Sequence, residues 1–201
     1  MSENLFTKFF PPDFTLETPR VLLRAMKGDD YTELQPLAAE RETFKYFTKE
    51  LSDPQELRRW MNDALQARAG GQRMPFTIYD KDEKQICGCT SYGNISFYDK
   101  RIEIGWTWLG PQFMGAGVNR QAKFALLSYA FEVMRMERVE IKTDTLNERA
   151  KAALLKIGMI PEGVLRSHTL MHSGRRRDSI YFSIIRNEWA ERKQSFFADL
   201  I

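Results

Sequence analysis

Apolar and polar residues alternate along several short stretches of the chain, and this period of two predicts strands that are buried on one face. Glycine, proline and polar turn residues separate most of these stretches. Gly88 and Gly93 lie within one of them and mark positions where that strand could bulge. The predicted strands cover residues 20–25, 76–79, 85–97, 101–109, 138–143, 165–172 and 177–185.

Other stretches repeat their apolar residues every three or four positions, which predicts amphipathic helices. A helix begins at the capping residue Ser52, with Pro54 early and Gln55 three residues after the serine, and it ends at Gly70. The remaining predicted helices cover residues 28–39, a long segment after Gly117, residues 147–157 and a last segment from Asn187.

The order of these elements predicts the fold class. A strand–helix–strand unit in the second half of the chain implies one parallel pairing inside an otherwise antiparallel sheet. The sequence therefore predicts an α+β (mixed α/β) fold, with one sheet and helices on both faces. We expect a single domain over residues 1–201, with a loosely held N-terminal arm at 1–15 and a C-terminal helix and tail at 187–201.

Composition narrows the class of protein only slightly. The chain has 201 residues, of which 43% are hydrophobic and 28% charged, as in ordinary globular proteins. No stretch approaches the roughly 20 apolar residues of a membrane span, and the start does not resemble a secretory signal, so we expect a cytoplasmic protein. Cys87 and Cys89 are predicted to be buried on one face of a strand as small apolar residues.

The clearest chemical signal lies in residues 103–123, where a strand ends at Leu109 and Gly115-Ala116-Gly117 opens a helix. Backbone N–H groups of a glycine-rich loop at a helix N-terminus can approach a phosphate, which the helix dipole also favours. The spacing is neither that of a P-loop nor that of a dinucleotide-binding fingerprint. The glycines alone are equally compatible with a loop that caps the helix and binds no ligand.

The spacing of this loop is more specific than its glycines. The run from Gln112 to Gly117 matches the pattern Q/R-x-x-G-x-G/A and resembles the acyl-CoA pyrophosphate loop of the GCN5-related N-acetyltransferase (GNAT) family. The preceding EIGWTWLGP and the later RVEIKTDTLNERAKAALLKIGM resemble that family's pantetheine strand and its next strand and helix. TPRVLLRAMKGDD, EGVLR and RRRDSIYFSIIRNEW resemble the RimJ/RimL-like branch. The matching segments follow the family's order from Thr18 to Trp189.

The resemblance implies a fold and a co-substrate. The fold is a twisted, mostly antiparallel sheet of about seven strands, splayed at a bulge between the fourth and fifth predicted strands, around Leu109 and Thr143. Acetyl-CoA enters the gap as an added pseudo-strand. No metal is expected. The residues implied to bind acetyl-CoA are Trp108, Leu109, Gln112, Phe113, Met114, Gly115, Ala116, Gly117, Val118, Asn119 and Asn147.

The implied reaction is transfer of an acetyl group to a primary amine, either a protein N-terminus or a small molecule, by direct attack. A backbone N–H near Trp108 or Leu109 stabilises the oxyanion. Glu103 is the candidate catalytic base, with a solvated or salt-bridged glutamate as the alternative. Alternation places Glu103, Gly105 and Thr107 on one face.

The sequence does not define a protein group that donates a proton to the leaving thiolate, and water is the alternative donor. Many members of the family have a serine three residues after the asparagine, where this chain has Ala150, and others use a tyrosine further on. Tyr181 is expected to pack in the core.

Other polar groups carry weaker signals. His168 and His172 form no convincing zinc set with the cysteines, and one of them could contact the acceptor. Residues 175–177 are three arginines, expected as a solvated loop or as a contact for an anionic group. The apolar C-terminal tip consists of Phe196, Phe197, Leu200 and Ile201. It packs either on its own chain or on a second copy, so a homodimer remains one of the possibilities.

Two alternatives to an acetyltransferase remain at this point. The residue at Ala150 favours a CoA-binding module without transferase activity. The net charge of +3 and the arginine run are weak evidence for a nucleic-acid partner, which ranks last.

Overall fold

The structure is a computed structural model that describes residues 5–201. One eight-stranded sheet has the order β1-β2-β3-β4-β5-β6-β8-β7. Its strands are β1 (Thr15–Glu17), β2 (Val21–Ala25), β3 (Met74–Asp80), β4 (Gln85–Ser96), β5 (Arg101–Leu109), β6 (Arg138–Asp144), β7 (Ile160–Leu170) and β8 (Arg176–Ile185). All except β1 correspond to predicted strands. With only three residues, β1 is too short for alternation to reveal it.

The helices follow the predicted order except for α1, which lies where a loosely held arm is expected. They are α1 (Leu5–Phe9), α2 (Tyr31–Leu37), α3 (Pro54–Ala69), α4 (Val118–Ser128), α5 (Glu148–Leu155) and α6 (Arg186–Phe197). The cap of α3 is Asp53, whose side chain accepts bonds from the N–H groups of Gln55 and Glu56, so the prediction of Ser52 is wrong by one residue. No helix in residues 5–201 is long and apolar enough to cross a membrane.

The sheet is antiparallel except for one pairing, between β5 and β6, as the sequence predicts. Two apolar clusters cover its two faces. One cluster packs α4, α5 and α6 against Ile102 and Ile104 of β5 and Val139 of β6. The other packs α2 and α3 against Trp108 of β5. Helices therefore lie on both faces.

A bulge in β5 changes which residues face which cluster. Cys89 pairs with Trp108 and Ser91 pairs with Gly105, so three steps of β5 oppose two of β4. Trp106 lies within this bulge with a φ of 53°. A side chain is rarely stable in this left-handed region, which indicates that the surrounding packing holds the bulge in place.

The bulge overturns one prediction about faces. Thr107 contacts α4 through Lys123, whereas Glu103 lies on the opposite face with Lys142. Thr107 and Glu103 therefore do not share a face, because the extra residue shifts the alternation by one position.

A second register shift separates the two cysteines. Ile78 pairs with Gly88 and Tyr79 pairs with Ile86, which leaves Cys87 as the additional residue of β4. Both thiols are buried, as predicted, but Cys87 belongs to the cluster beneath α4 and Cys89 to the cluster beneath α3. The prediction of a shared face is therefore wrong.

Both ends of the described chain pack on its body. In the arm, whose first four residues lie outside the described part, Phe10 and Phe14 lie 5.8 Å from Tyr92 and 4.8 Å from Tyr129, between ring centroids. At the other end, Phe197 is fully buried and lies 5.2 Å from Phe124 of α4. The apolar C-terminal tip therefore packs on its own chain.

Candidate active site

The parallel strands β5 and β6 separate after three residue pairs. Only Arg101–Glu103 of β5 pair with residues of β6, ending at Glu103 opposite Glu140, although the strands continue to Leu109 and Asp144. The rest of β5 has no partner strand on this side within residues 5–201. This opening is the splay that the sequence predicts, with the bulge beside it.

The glycine loop lies between the end of β5 and the start of α4. A short turn, Pro111–Phe113, leads into Gly115 with a φ of 80° and Gly117 with a φ of 86°, both in the region that favours glycine. Added Cβ atoms at either glycine would meet nothing within 4 Å. The loop therefore has open space at both glycines, and buried Phe113 and Val118 anchor it.

The loop is suited to hold an anionic group. The first N–H groups of α4 have no partner inside the helix, and the helix dipole adds positive potential there. Arg20 braces the loop: its Nη1 donates to the Ala116 carbonyl at 2.6 Å while its Nη2 pairs with Asp80 at 2.7 Å. Arg149 of α5 lies 2.8 Å from the Sδ of Met114, between Nη1 and sulfur.

The predicted CoA-binding residues fall into three places. Residues 112–119 lie on the loop and the first turn of α4. Trp108 and Leu109 are buried at the end of β5. Asn147 is the N-cap of α5, where its Oδ1 accepts a bond from the Ala150 N–H at 3.0 Å. The contact of Arg149 with Met114 brings the start of α5 to the loop.

Two of these residues have polar atoms without a recorded partner. The Nε1 of Trp108 and the Oδ1 of Asn119 are buried and make no hydrogen bond within residues 5–201. Unpartnered buried polar atoms are costly and few in native proteins. Both lie on elements that border the predicted CoA cleft.

Glu103 lies at the last pair of β5 with β6 and is 4% exposed. Its Oε2 accepts a hydrogen bond from Asn94 Nδ2 at 2.6 Å and forms an ion pair with Lys142. An open cleft of about 650 Å³ is lined by Asn94 and Tyr181, among other residues. The glutamate is thus salt-bridged, and its neighbour Asn94 lines the open cleft. Its role as a catalytic base stays a prediction.

A polar cluster on β8 and β7 continues from this glutamate. Tyr181 is partly exposed on the cleft, with Lys142 Nζ 5.6 Å from its ring centroid, so the prediction of a core tyrosine is wrong. His168 Nδ1 lies 3.0 Å from Ser179 Oγ. Burial, followed by the nearby cations Lys142 and Arg177, lowers the pKa of His168. Strand alternation puts Tyr181 and buried Phe182 on opposite faces of the sheet, so this pattern could have predicted the exposure of Tyr181.

The three arginines do not form a solvated loop. Arg175 pairs with fully buried Asp144, and Arg177 is 7% exposed with its Nε 2.9 Å from Ser179 Oγ. The reason is that β8 begins at Arg176, which turns alternate side chains inward.

The second histidine connects two loops. His172 Nδ1 lies 3.9 Å from Glu50 Oε2, which joins the β7–β8 turn to the segment before α3. Residues 5–201 contain no group of three or more histidine, cysteine, aspartate or glutamate side chains arranged to hold a metal ion.

A buried lysine on the other side of β5 was missed by sequence reasoning. Lys123 of α4 is 3% exposed, and its Nζ donates to Thr107 Oγ1 at 2.8 Å. Burial lowers its pKa from 10.5 to about 7. The one available signal was its position among Ala122, Ala125 and Leu126, which form the apolar face of the helix.

Comparisons with known proteins agree with this geometry. The acetyltransferase (GNAT) domain family matches residues 20–160. YdaF of Bacillus subtilis (strain 168) is 33% identical over 108 residues, which are 54% of this chain and 58% of that protein. The uncharacterized N-acetyltransferase p20 of Bacillus licheniformis is 28% identical over 180 residues, covering 88% of this chain and 98% of that one. The ribosomal protein uS5-alanine N-acetyltransferase of Escherichia coli (strain K12) is 24% identical over 189 residues, covering 89% and 94%.

The fold is shared with solved structures of the same class. The crystal structure of a GCN5-related N-acetyltransferase from Brucella melitensis aligns with a TM-score of 0.85, covering 94% of this chain and 86% of that chain at 24% identity. This likeness concerns the fold, and the family match extends over most of the sequence. The glycine loop, the bulged β5 and its opening toward β6 are thus features of a chain that belongs to the GNAT family of acetyltransferases.

Proposed function

We propose that the protein is an acetyl-CoA-dependent N-acetyltransferase of the RimJ/RimL-like kind, which transfers an acetyl group to a primary amine by direct attack in a ternary complex. The observation that carries the proposal is the edge of β5 that does not pair with β6, which begins after Glu103 and leads directly into the glycine loop. Acetyl-CoA supplies the acetyl thioester. The chain supplies the binding surface, the electrostatics and the proton transfers.

Three sets of groups bind acetyl-CoA in this proposal. Backbone N–H groups from about Phe113 to Val118, with the α4 dipole, hold the pyrophosphate. The free edge of β5 at Trp108 and Leu109 pairs with the pantetheine amides. Asn147 uses its side-chain oxygen to cap α5, so its N–H₂ group can donate to the pantetheine.

Glu103 accepts the proton of the acceptor amine in this proposal. Both of its hydrogen-bonded neighbours, Asn94 and Lys142, bind Oε2. They orient the carboxylate while Oε1 is left toward Gly105. A backbone N–H near Trp108 or Leu109 stabilises the oxyanion, because a fixed dipole acts strongly in a site shielded from water. Attack is direct, so no covalent enzyme intermediate is formed.

The acceptor is a protein N-terminus or a small-molecule amine. The names of the relatives include both kinds: a ribosomal-protein-serine acetyltransferase is 29% identical over 115 residues, and a spermidine N(1)-acetyltransferase is 24% identical over 171 residues, both from Escherichia coli (strain K12). The cleft lined by Asn94, Arg101, Glu140 and Tyr181 is open and polar, which is compatible with a charged ammonium group arriving from solvent.

The first experiment is calorimetry with acetyl-CoA and desulfo-CoA, followed by an amine panel in which release of free thiol is measured. The panel contains peptides with alanine or serine at the N-terminus and polyamines. Binding with turnover supports the proposal. Tight binding without turnover would favour the CoA-binding module, and absence of binding would contradict the assignment of the loop.

A substitution in the loop tests the site directly. Gly117→Arg fills the open surface above α4 and is expected to abolish acetyl-CoA binding. Gly117→Ala imposes the same positive φ on a side chain without the bulk, so it is the matched control for backbone strain. Equal loss of affinity in both variants would point to strain rather than to an occupied phosphate site.

A further inference from the structure

The side chain of Lys123 extends from α4 to β5 and is almost completely buried. It is 3% exposed, and its Nζ is 2.8 Å from Thr107 Oγ1. No carboxylate pairs with it within residues 5–201, and burial is the sole cause that lowers its pKa to about 7. A buried amine without a counter-ion is costly to keep, which favours a functional explanation for it.

The other titratable groups near this face are either ion-paired, as Arg20 and Asp80 are, or neutral near pH 7. β4 places Cys87 and Tyr92 in the same apolar cluster. Burial raises the pKa of Cys87 to about 12 and that of Tyr92 well above its usual range. From β5, Lys123 is contacted by the hydroxyl of Thr107. Of the groups that face this position in the described chain, Lys123 alone titrates near neutrality.

Thr107 connects this amine to the opening between β5 and β6. It lies beyond Glu103, the last residue of β5 that pairs with β6, and it is partly exposed. The bulge at Trp106 turns its hydroxyl toward α4. That hydroxyl also lies 2.8 Å from the Oγ1 of buried Thr90 and 3.4 Å from the carbonyl oxygen of Gly105. One oxygen atom thus joins a buried hydrogen-bond chain to the part of β5 that does not pair with β6.

We propose that Thr107 and Lys123 deliver the proton that the departing CoA thiolate takes up. This inference rests on the proposed function. When the carbon–sulfur bond breaks, its electron pair stays on sulfur. The thiolate takes the hydroxyl proton of Thr107, and Thr107 takes a proton from the Lys123 ammonium. Lys123 is left as a neutral amine, which regains a proton from solvent after product release.

This path gives the chain a proton donor in place of the serine that it lacks at Ala150. The reference pKa of a thiol is about 8.5, close enough to that of a desolvated lysine for efficient transfer near pH 7. Glu103 and Lys142 serve the acceptor on the other face of β5, so the two proton transfers use separate groups.

The kinetic test compares three variants with the wild-type protein. Thr107→Val keeps the shape and removes the hydroxyl, and Lys123→Met removes the amine. Each is expected to lower kcat by about 10²-fold with little change in acetyl-CoA affinity, and Thr107→Ser should recover most of the loss. The decline of kcat above about pH 7 should vanish in Lys123→Met. Ser128→Ala removes another buried hydroxyl of α4 and should leave kcat unchanged.

A binding measurement checks the same groups without turnover. If Lys123 and Thr107 stabilise a thiolate, the preference for CoA over desulfo-CoA is greatest between the pKa of Lys123, about 7, and that of a thiol, about 8.5, and it falls at lower and higher pH. This preference disappears in Lys123→Met. Calorimetry with both ligands measures it directly. Circular dichroism and thermal melting confirm that the variants are folded.

Several outcomes would overturn the proton path. One is an unchanged kcat in Thr107→Val, and another is a preference for CoA over desulfo-CoA that persists in Lys123→Met. A third is that the decline of kcat at high pH is lost in Tyr181→Phe and not in Lys123→Met. The fourth is acetylation of Lys123 itself, seen as an added acetyl mass in the wild-type protein that is absent in Lys123→Met. All of them presuppose a wild-type protein that binds acetyl-CoA and turns over. Failure of that first step would contradict the proposed function rather than the path.

Discussion

Two lysines flank β5 and differ in how their charge is balanced. Lys142 pairs with the buried carboxylate of Glu103 and stays 20% exposed in its side chain. Lys123 is 3% exposed and contacts a hydroxyl. An ion pair keeps charge inside a protein, whereas burial beside neutral oxygens disfavours it. One strand thus separates a lysine that is paired with a carboxylate from a buried lysine that contacts a hydroxyl. The comparison predicts opposite responses to the same substitution.

The largest effect is expected at Lys123. The pKa of this lysine falls from 10.5 to about 7 on folding, so between these values the unfolded chain binds more protons than the folded one. The wild-type free energy of unfolding should therefore rise with pH from about 7 to 10.5. Lys123→Met does not titrate here and should be more stable below pH 7, by several kcal/mol, on the order of 5 at most. Urea unfolding of both proteins at pH 6 and pH 10 measures the gap; a gap that widens with pH would contradict the prediction.

Lys142→Met should have the opposite sign. It leaves the carboxylate of Glu103 buried without its cation, which costs about 3 kcal/mol in comparable sites. The double variant Lys142→Met with Glu103→Gln should recover part of this loss. Urea midpoints of the single and double variants check it, and additive losses would show that the two side chains are not coupled.

Glu103→Gln should lower kcat/KM for the acceptor by about 10²-fold, because the amide cannot accept the amine proton. Acetyl-CoA affinity should change little. Glu140→Gln is the matched control, since Glu140 lines the same cleft on the next strand and pairs with Arg138. An equal loss in both variants would mean that cleft charge matters rather than a base at Glu103.

Gly93→Ala tests the packing that holds the bulge. A Cβ there would lie 2.4 Å from the ring of Trp106, so the indole must move. We expect a destabilisation of about 1–3 kcal/mol, typical of overpacking. Thermal melting measures it, with Gly163→Ala as the control because that position has open space. A neutral Gly93→Ala variant would show that the indole relocates freely.

The smallest effect is expected for a surface pair. Glu162→Gln breaks the ion pair with Arg138, in which the glutamate side chain is 40% exposed. Exposed pairs contribute less than about 1 kcal/mol, and salt screens them. Melting at low and high ionic strength should show a small difference that shrinks with salt, in contrast to the Lys142 variant.

Sequence patterns predicted the strands, the crossover and the glycine loop, and the family resemblance implied the opening between β5 and β6. They failed where an extra residue shifts alternation: Thr107 faces α4 instead of Glu103, and Cys87 and Cys89 face opposite clusters. Period-two reasoning cannot anticipate a bulge that the packing of Trp106 stabilises.

The other differences concern polar residues whose burial residue type does not predict. Lys123 and Arg177 are buried because their backbone positions point inward, while Tyr181 lies on the cleft. Residue type is a weak guide at such positions, since a long side chain is placed by its element and not by its own hydrophobicity. Alternation along β8 could have identified Arg177, but the depth of Lys123 depends on how α4 packs on the sheet.

The short pairing of β5 with β6 has a consequence for the lifetime of the protein. Only three residue pairs join β5 to β6, which leaves a gap between these strands in the folded chain. Because the gap exists only after folding, a ligand that fills it binds the folded chain and not the unfolded one. At a hundred times its Kd, such a ligand adds about 2.7 kcal/mol to folding. In the function that we propose this ligand is acetyl-CoA, so resistance to heat and to proteases should follow its concentration around the protein. A cell that runs short of this metabolite would lose the enzyme itself as well as its substrate.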